Sequence, residues 1–194
     1  KVNWDDIPVA LEDIRRIEIT RGPSSATYGA NAFMAVINII SKNPEETLGT
    51  RLRYRSGNQS VSDGFISHSG MLQDGSYRLS ASYLSDDGFD GENTTSDRWD
   101  DDARSQFVSG VYHGSVSDRV DVQLRAALNN SHAHIGTKTE PASHYRDTDS
   151  GFVQGRFEFD FSDRHRSHLQ VYWQREDRTQ MQSECVSTAA VDPA

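Results

Sequence analysis

A mainly β protein, with barrel-type antiparallel strands preceded by a small α+β unit, is the fold class this 194-residue chain predicts. Three observations predict it. From residue 48 onward apolar and polar side chains alternate with period two. Gly, Asp and Ser turn signals punctuate that alternation at regular intervals. Residues 1–43 follow a different pattern from residues 44–194.

In the first part, Ala10 to Ile14 suits one turn of helix. Arg16-Ile17-Glu18-Ile19-Thr20-Arg21 alternates as a strand does, and Gly22-Pro23 breaks it. Ser24 or Ser25 is placed to cap a second short turn leading to Tyr28-Gly29. Ala35 to Ser41 is an apolar, β-branched run and reads as a buried strand. Two strands bury little by themselves, so this α+β unit reads as incomplete.

The second part gives strand after strand. Residues 120–129 set Val120, Val122, Leu124, Ala126 and Leu128 against Asp121, Gln123, Arg125, Ala127 and Asn129. Residues 153–161 set Val153, Gly155, Phe157, Phe159 and Phe161 against Gln154, Arg156, Glu158 and Asp160. Segments 48–55, 77–83 and 168–174 repeat the pattern, and 61–72 and 105–116 are strands with mixed faces. The connections alternate in length. Tight turns fall at Gln73-Asp74-Gly75-Ser76, at 117–119 and at 162–165. Long polar stretches span 86–104 and 132–149, and another starts near 179.

A soluble sandwich also gives alternating strands and stays open as an alternative. Two features favour a membrane barrel: a polar, charged face recurs strand after strand, and short turns on one side oppose long loops on the other, with the short connection at 57–60 as an exception. Tyr54, Tyr77, Tyr83, Tyr112 and Trp173 suit an interfacial girdle. Apolar residues at only 35 % exclude a helical membrane protein. A net charge of −9 argues against a nucleic-acid partner. Cys185 is the single cysteine and supplies neither a disulfide within the chain nor a metal framework. The chain opens Lys1-Val2-Asn3-Trp4 without Met, which suggests a missing N-terminus.

The stretch from Arg16 to Lys42, with Arg-Gly-Pro at 21–23, Tyr28-Gly29 and Val36-Ile37-Asn38-Ile39-Ile40-Ser41-Lys42, resembles the end of the plug domain of TonB-dependent outer-membrane receptors. Met34-Ala35 stands where many members have Gly-Gly. The resemblance implies a plug end at 1–43 and the first barrel strands at 44–194, in a barrel of about 22 strands. It implies uptake across the outer membrane of a Gram-negative bacterium. The ligand would be a ferric siderophore first, with haem, cobalamin or another scarce compound as alternatives. The implied partners are the TonB protein, gripping a box upstream of residue 1, the ligand and outer-membrane lipid. By the same resemblance Arg21, with Glu18 on its strand, anchors the plug to carboxylates of the barrel wall.

His132-Ala133-His134 puts two imidazoles on one face if extended, half of a metal or haem site. Segment 86–104 holds eight carboxylates without the spacing of a calcium loop, which reads as a solvated acidic loop. No nucleophile elbow or zinc-hydrolase helix is present, and His113 and His168 lack a serine partner by spacing, so the chain reads as no enzyme, with no cofactor. An outer-membrane adhesin or docking barrel is the binding-class alternative.

Overall fold

A computed structural model describes residues 7, 9–22, 34–88, 101–135, 144–162 and 164–182. Strands β1 (Ile14–Arg21) and β2 (Ala35–Ser41) pair antiparallel as a ribbon. The remaining seven strands are β3 (Gly49–Ser56), β4 (Ser62–Leu72), β5 (Gly75–Asp86), β6 (Ala103–Ser117), β7 (Val120–Ile135), β8 (His144–Ser162) and β9 (His165–Gln182). They form one sheet in sequential order, each strand antiparallel to the next. A sandwich needs two packed sheets, so that alternative is set aside. The sheet is open, with β3 and β9 at its edges.

Three expectations need correction. The helical turn expected at 10–14 is a 3-10 turn over Leu11–Asp13, because Ala10 offers no side-chain cap and Ile14 is already extended. The second expected turn, around Ser24, Ser25 and Tyr28-Gly29, lies outside the described residues, as does Cys185. The polar connection expected over 132–149 is shorter: β7 pairs through Ile135 and β8 starts at His144. Likewise β9 runs on to Gln182, past the loop expected from 179. Side-chain polarity changed at these points, but the backbone ladder did not stop, since every paired N–H and C=O gained by extending it is one fewer left to solvent.

Alternation divides the sheet into two faces. One, here the outer face, carries Leu52, Ile66, Leu79, Val108, Leu128 and Trp173, all exposed. The inner face carries Arg51, Arg53, Arg78, Arg125 and Arg156, together with Phe65, Ser67, Ser69, Ser80 and Asn129, and the turns at either end of the ribbon, at 11–13 and 44–47, touch it while the ribbon strands stay largely exposed. On β7 the apolar run Val120 to Leu128 is nine residues long and ends at Asn130.

Pairing registers reveal a slant. Gly75, at the β4–β5 turn, is in register with Gly114, and Gly114 with Val122. The β6–β7 turn falls two residues further, after Ser117 and Val120. Val120 is in register with Phe159, and Phe159 with Ser167, yet that hairpin turns two residues further again, between Ser162 and His165. Successive turns therefore shift by one residue per strand. At ~3.3 Å per residue and ~4.8 Å between strands this gives a slant of about 35°. It matches the tilt of outer-membrane barrel strands, and the slanted apolar run on β7 then covers a height on the order of 25 Å, close to their apolar band.

Glycines tune the outer face. Tyr112 lies across the cross-strand pair Gly75 and Gly114. A Cβ on Gly75 would stand 2.6 Å from the His113 carbonyl oxygen and 2.6 Å from the Tyr112 hydroxyl. A Cβ on Gly64 would meet nothing within 4 Å. Gly75→Ala is therefore expected to cost about 1–3 kcal/mol by overpacking. Gly64→Ala should be neutral or stabilise by up to ~1 kcal/mol through the unfolded state. Equilibrium urea unfolding measures both; equal effects would refute the close packing at Gly75.

Candidate functional site

Among the described residues, two deeply buried charges, Asp13 and Arg78, meet where the turn before β1 touches the sheet. The turn at Leu11–Asp13 sits directly before β1, and Asp13 is only 3 % exposed. Its carboxylate accepts from Arg51 Nη2 at 2.7 Å and from Ser80 Oγ at 2.7 Å. Arg78 Nε lies 3.4 Å from the same group, and Arg78 is itself 3 % exposed. Arg51, Arg78 and Ser80 stand on the inner faces of β3 and β5, so one carboxylate bridges the ribbon to two strands.

Neighbouring contacts share that design. Glu12 pairs with Arg53 at 2.9 Å. Arg78 Nη1 donates to the Lys42 carbonyl at 2.9 Å, and Lys42 Nζ donates to the Glu12 carbonyl at 2.8 Å. The Thr47 and Ser69 hydroxyls bond at 2.9 Å where the chain passes through the 3-10 turn Pro44–Thr47 into β3. Arg53 also forks onto Asp63 through two bonds of 3.0 and 2.8 Å. The guanidinium groups of Arg51 and Arg53 both approach the ring of Phe65, at 5.9 and 5.8 Å from its centroid. The contact is thus polar and charge-assisted, with one aromatic ring beneath it.

The residues expected to anchor the ribbon lie elsewhere on it. Arg21 ends β1, opposite Ala35, and is exposed. Glu18 faces Asn38 across the ribbon and accepts from Arg16 Nε at 2.7 Å and from Asn38 Nδ2 at 3.2 Å. The Arg16 bond, and then the Asn38 bond, hold its carboxyl below the ordinary range. Asp13, Glu12 and Arg78 were not singled out from sequence. The available signal was the triplet Arg51, Arg53 and Arg55, three inward cations on one strand that call for carboxylates.

Above the turn, toward the ends of β3 and β4, a hollow of about 270 Å³ lies between residues 7–12 and the inner face. Arg53, Arg55, Arg146, Glu12 and Asp63 are among its lining residues. A larger hollow of about 960 Å³ lies along the apolar outer face. The expected histidine pair is brought together with a third group: His132, His134 and Asp102 approach one another near the far end of β7.

The arrangement is a slanted open antiparallel sheet with an N-terminal turn bonded to its polar face. No family model matches the chain. It is 40 % identical over 63 residues, 32 % of its length, to the ferric enterobactin receptor PirA of Pseudomonas aeruginosa. It is 36 % identical over 69 residues, 34 % of its length, to the pesticin receptor of Yersinia enterocolitica, and 28 % identical over 90 residues, 46 % of its length, to the vitamin B12 transporter BtuB of Vibrio vulnificus. These alignments span 8 %, 10 % and 14 % of the respective relatives. Over part of its length, then, the chain is homologous to TonB-dependent receptors. Those relatives are transport proteins and not enzymes.

Asp13→Ala tests the bridge. It leaves Arg78 buried without its carboxylate, and removing one partner of a buried pair costs about 3–5 kcal/mol. Removing Glu46, whose pair with Arg15 is exposed, should cost no more than ~1 kcal/mol. Denaturant unfolding, with hydrogen exchange at β1 and β2, separates the two; equal small effects would show that Asp13 is not the anchor.

Proposed function

We propose that residues 1–43 are the end of a plug domain and residues 44–194 the first strands of a transmembrane barrel, in a TonB-dependent receptor of the Gram-negative outer membrane that takes up a scarce ligand. A ferric siderophore is the favoured cargo. The observation that carries this is the Asp13 bridge: an N-terminal segment held to the inner face of a barrel-type wall by charges instead of by an apolar core.

The chemistry suits a plug that must block a wide pore and yet shift when pulled. Hydrogen bonds weaken steeply once geometry departs from alignment, so a small displacement releases them. Water entering the gap then solvates both partners. TonB, gripping a box upstream of residue 1, supplies the pull. The hollow between residues 7–12 and the inner face is lined by more arginines than carboxylates, which favours an anionic ligand such as a ferric chelate. The partial identity to a ferric enterobactin receptor points the same way. A strain lacking the receptor, grown on single ferric siderophores under iron limitation, tests the cargo. Loss of growth on one chelate, restored by the intact gene, is expected. Normal growth on every chelate together with lost cobalamin or haem uptake would reassign it.

The membrane reading sets the faces apart. Leu124→Arg or Phe157→Arg puts a cation into lipid and should cost roughly 2–4 kcal/mol, whereas Gln123→Arg or Gln154→Arg should be tolerated. Folding into lipid vesicles measures this, and equal penalties on both faces would refute the assignment.

Arg21 is proposed as a second anchor, directed to carboxylates on strands downstream of this chain, with Glu18, held by Arg16 and Asn38, supporting it from the same strand. Arg21→Ala should leave ligand binding intact but lower uptake or make cells sensitive to vancomycin. Arg21→Lys should rescue only in part, since the bidentate fork is lost. Wild-type uptake and wild-type vancomycin resistance in Arg21→Ala cells would remove Arg21 from the mechanism.

A further inference from the structure

We propose that Asp102, His132 and His134 form a binding site for a zinc-class divalent ion on the outer face, beyond the apolar band. The strand pattern creates it. His132 and His134 share the parity of Leu124 and Leu128, so they stand on the outer face, four and six residues past the last apolar position of that face on β7. Asp102 arrives from the connection entering β6. Its carbonyl accepts from the His134 N–H at 3.0 Å, so the backbone ladder, continued by one residue, sets the carboxylate beside the imidazole.

Distances fit the ion. One ligand atom from each of the three residues lies within 4.8 Å of the other two. Bonds of ~2.0–2.1 Å in a tetrahedral zinc site place ligand atoms about 3.3 Å apart, within reach of side-chain rotation. His134 Nδ1 and Asp102 Oδ1 are 2.7 Å apart, sharing a hydrogen bond whose proton a metal would replace. The second imidazole is already oriented: Asp147, opposite His132 on β8, holds its Nδ1, which leaves Nε2 to ligate. Tyr145 fixes both rings, stacked on His132 at 5.9 Å and edge-on to His134 at 6.1 Å. Two imidazoles and one carboxylate, completed by water, select zinc, nickel or copper over calcium and magnesium, which favour all-oxygen shells. Bound metal would tie the end of the 87–102 connection to β7. The site rests on the sheet alone and stands apart from the transport reading.

The test uses the full-length receptor, stripped of metal in detergent at neutral pH. It is titrated with Co²⁺, followed by the visible absorption of four-coordinate cobalt, and then with Zn²⁺ as competitor. Saturable Co²⁺ binding displaced by Zn²⁺ but not by Ca²⁺ or Mg²⁺ is expected. His134→Gln and Asp102→Asn, which keep side-chain size, should each weaken binding at least tenfold with unchanged β-sheet circular dichroism. Asp147→Asn, which only orients His132, should weaken it by about tenfold. No saturable Co²⁺ signal, equal binding by the His134 and Asp102 variants, or displacement by Ca²⁺ would each overturn the site.

Discussion

The Asp13 carboxylate is the constraint on which the rest of the arrangement depends. It is nearly excluded from water, and so is Arg78. An isolated ion in such a place costs several kcal/mol, so each is tolerable only with partners at hand. Arg51, Ser80 and Arg78 surround Asp13, and the Lys42 carbonyl takes a second donor of Arg78. That mutual requirement fixes where the turn at Leu11–Asp13 sits on the sheet, and a separate bond from Thr47 to Ser69 holds the turn Pro44–Thr47 at the entry to β3. Buried pairs of this kind specify a register more than they add stability. An apolar contact of equal area would hold as firmly and place the ribbon less sharply.

The sheet carries a largely polar inner face while most of its apolar surface is turned outward. In a soluble protein such a division would be self-defeating, since Leu52, Leu128 and Trp173 would stay in water at a cost of roughly 25 cal/mol for every Å². On the proposed reading, the one-residue shift per strand and the apolar run of β7 together turn that surface into a band of membrane height. His132, His134 and Tyr145 lie past that band on the same face, which is why polar residues occupy outward positions there without breaking the pattern.

How far the fold was legible follows from that division. Period-two alternation is read directly from neighbouring residues, so the strands around 120–128 and 153–161, the tight turns and the single sheet could be anticipated. Strand ends could not, because the signal is side-chain polarity and the ladder is backbone. Beyond Leu128 and before Gly151 the strands continue with polar side chains on both faces, and sequence alone reads them as loop. The site was less legible still. Leu11-Glu12-Asp13-Ile14 has nothing local to mark Asp13 as buried, since its partners are 38, 65 and 67 residues away along the chain. Only the excess of inward arginines on β3 hinted that carboxylates had to come from elsewhere. His132 and His134 were visible as a pair, but Asp102 lies thirty residues upstream across a hairpin and Asp147 on the next strand, and pairing register is what unites them.

Polar attachment and apolar exterior also divide the mechanical roles on the proposed reading. Hydrophobic contact is non-directional and fades gradually as surfaces separate, so a plug held that way would drag on its wall throughout a pull. Charge-assisted bonds act over about 3 Å and lose most of their strength within an ångström or so of misalignment. Glu12 and Asp13 before the ribbon and Thr47 after it engage three adjacent strands, β3, β5 and β4. A force entering from the N-terminal side meets Glu12 and Asp13 before it reaches Thr47, so the bridge at the turn yields first and the tether into β3 last. The wall then keeps its plug attached at the point where the chain becomes barrel, even while the ribbon above it moves.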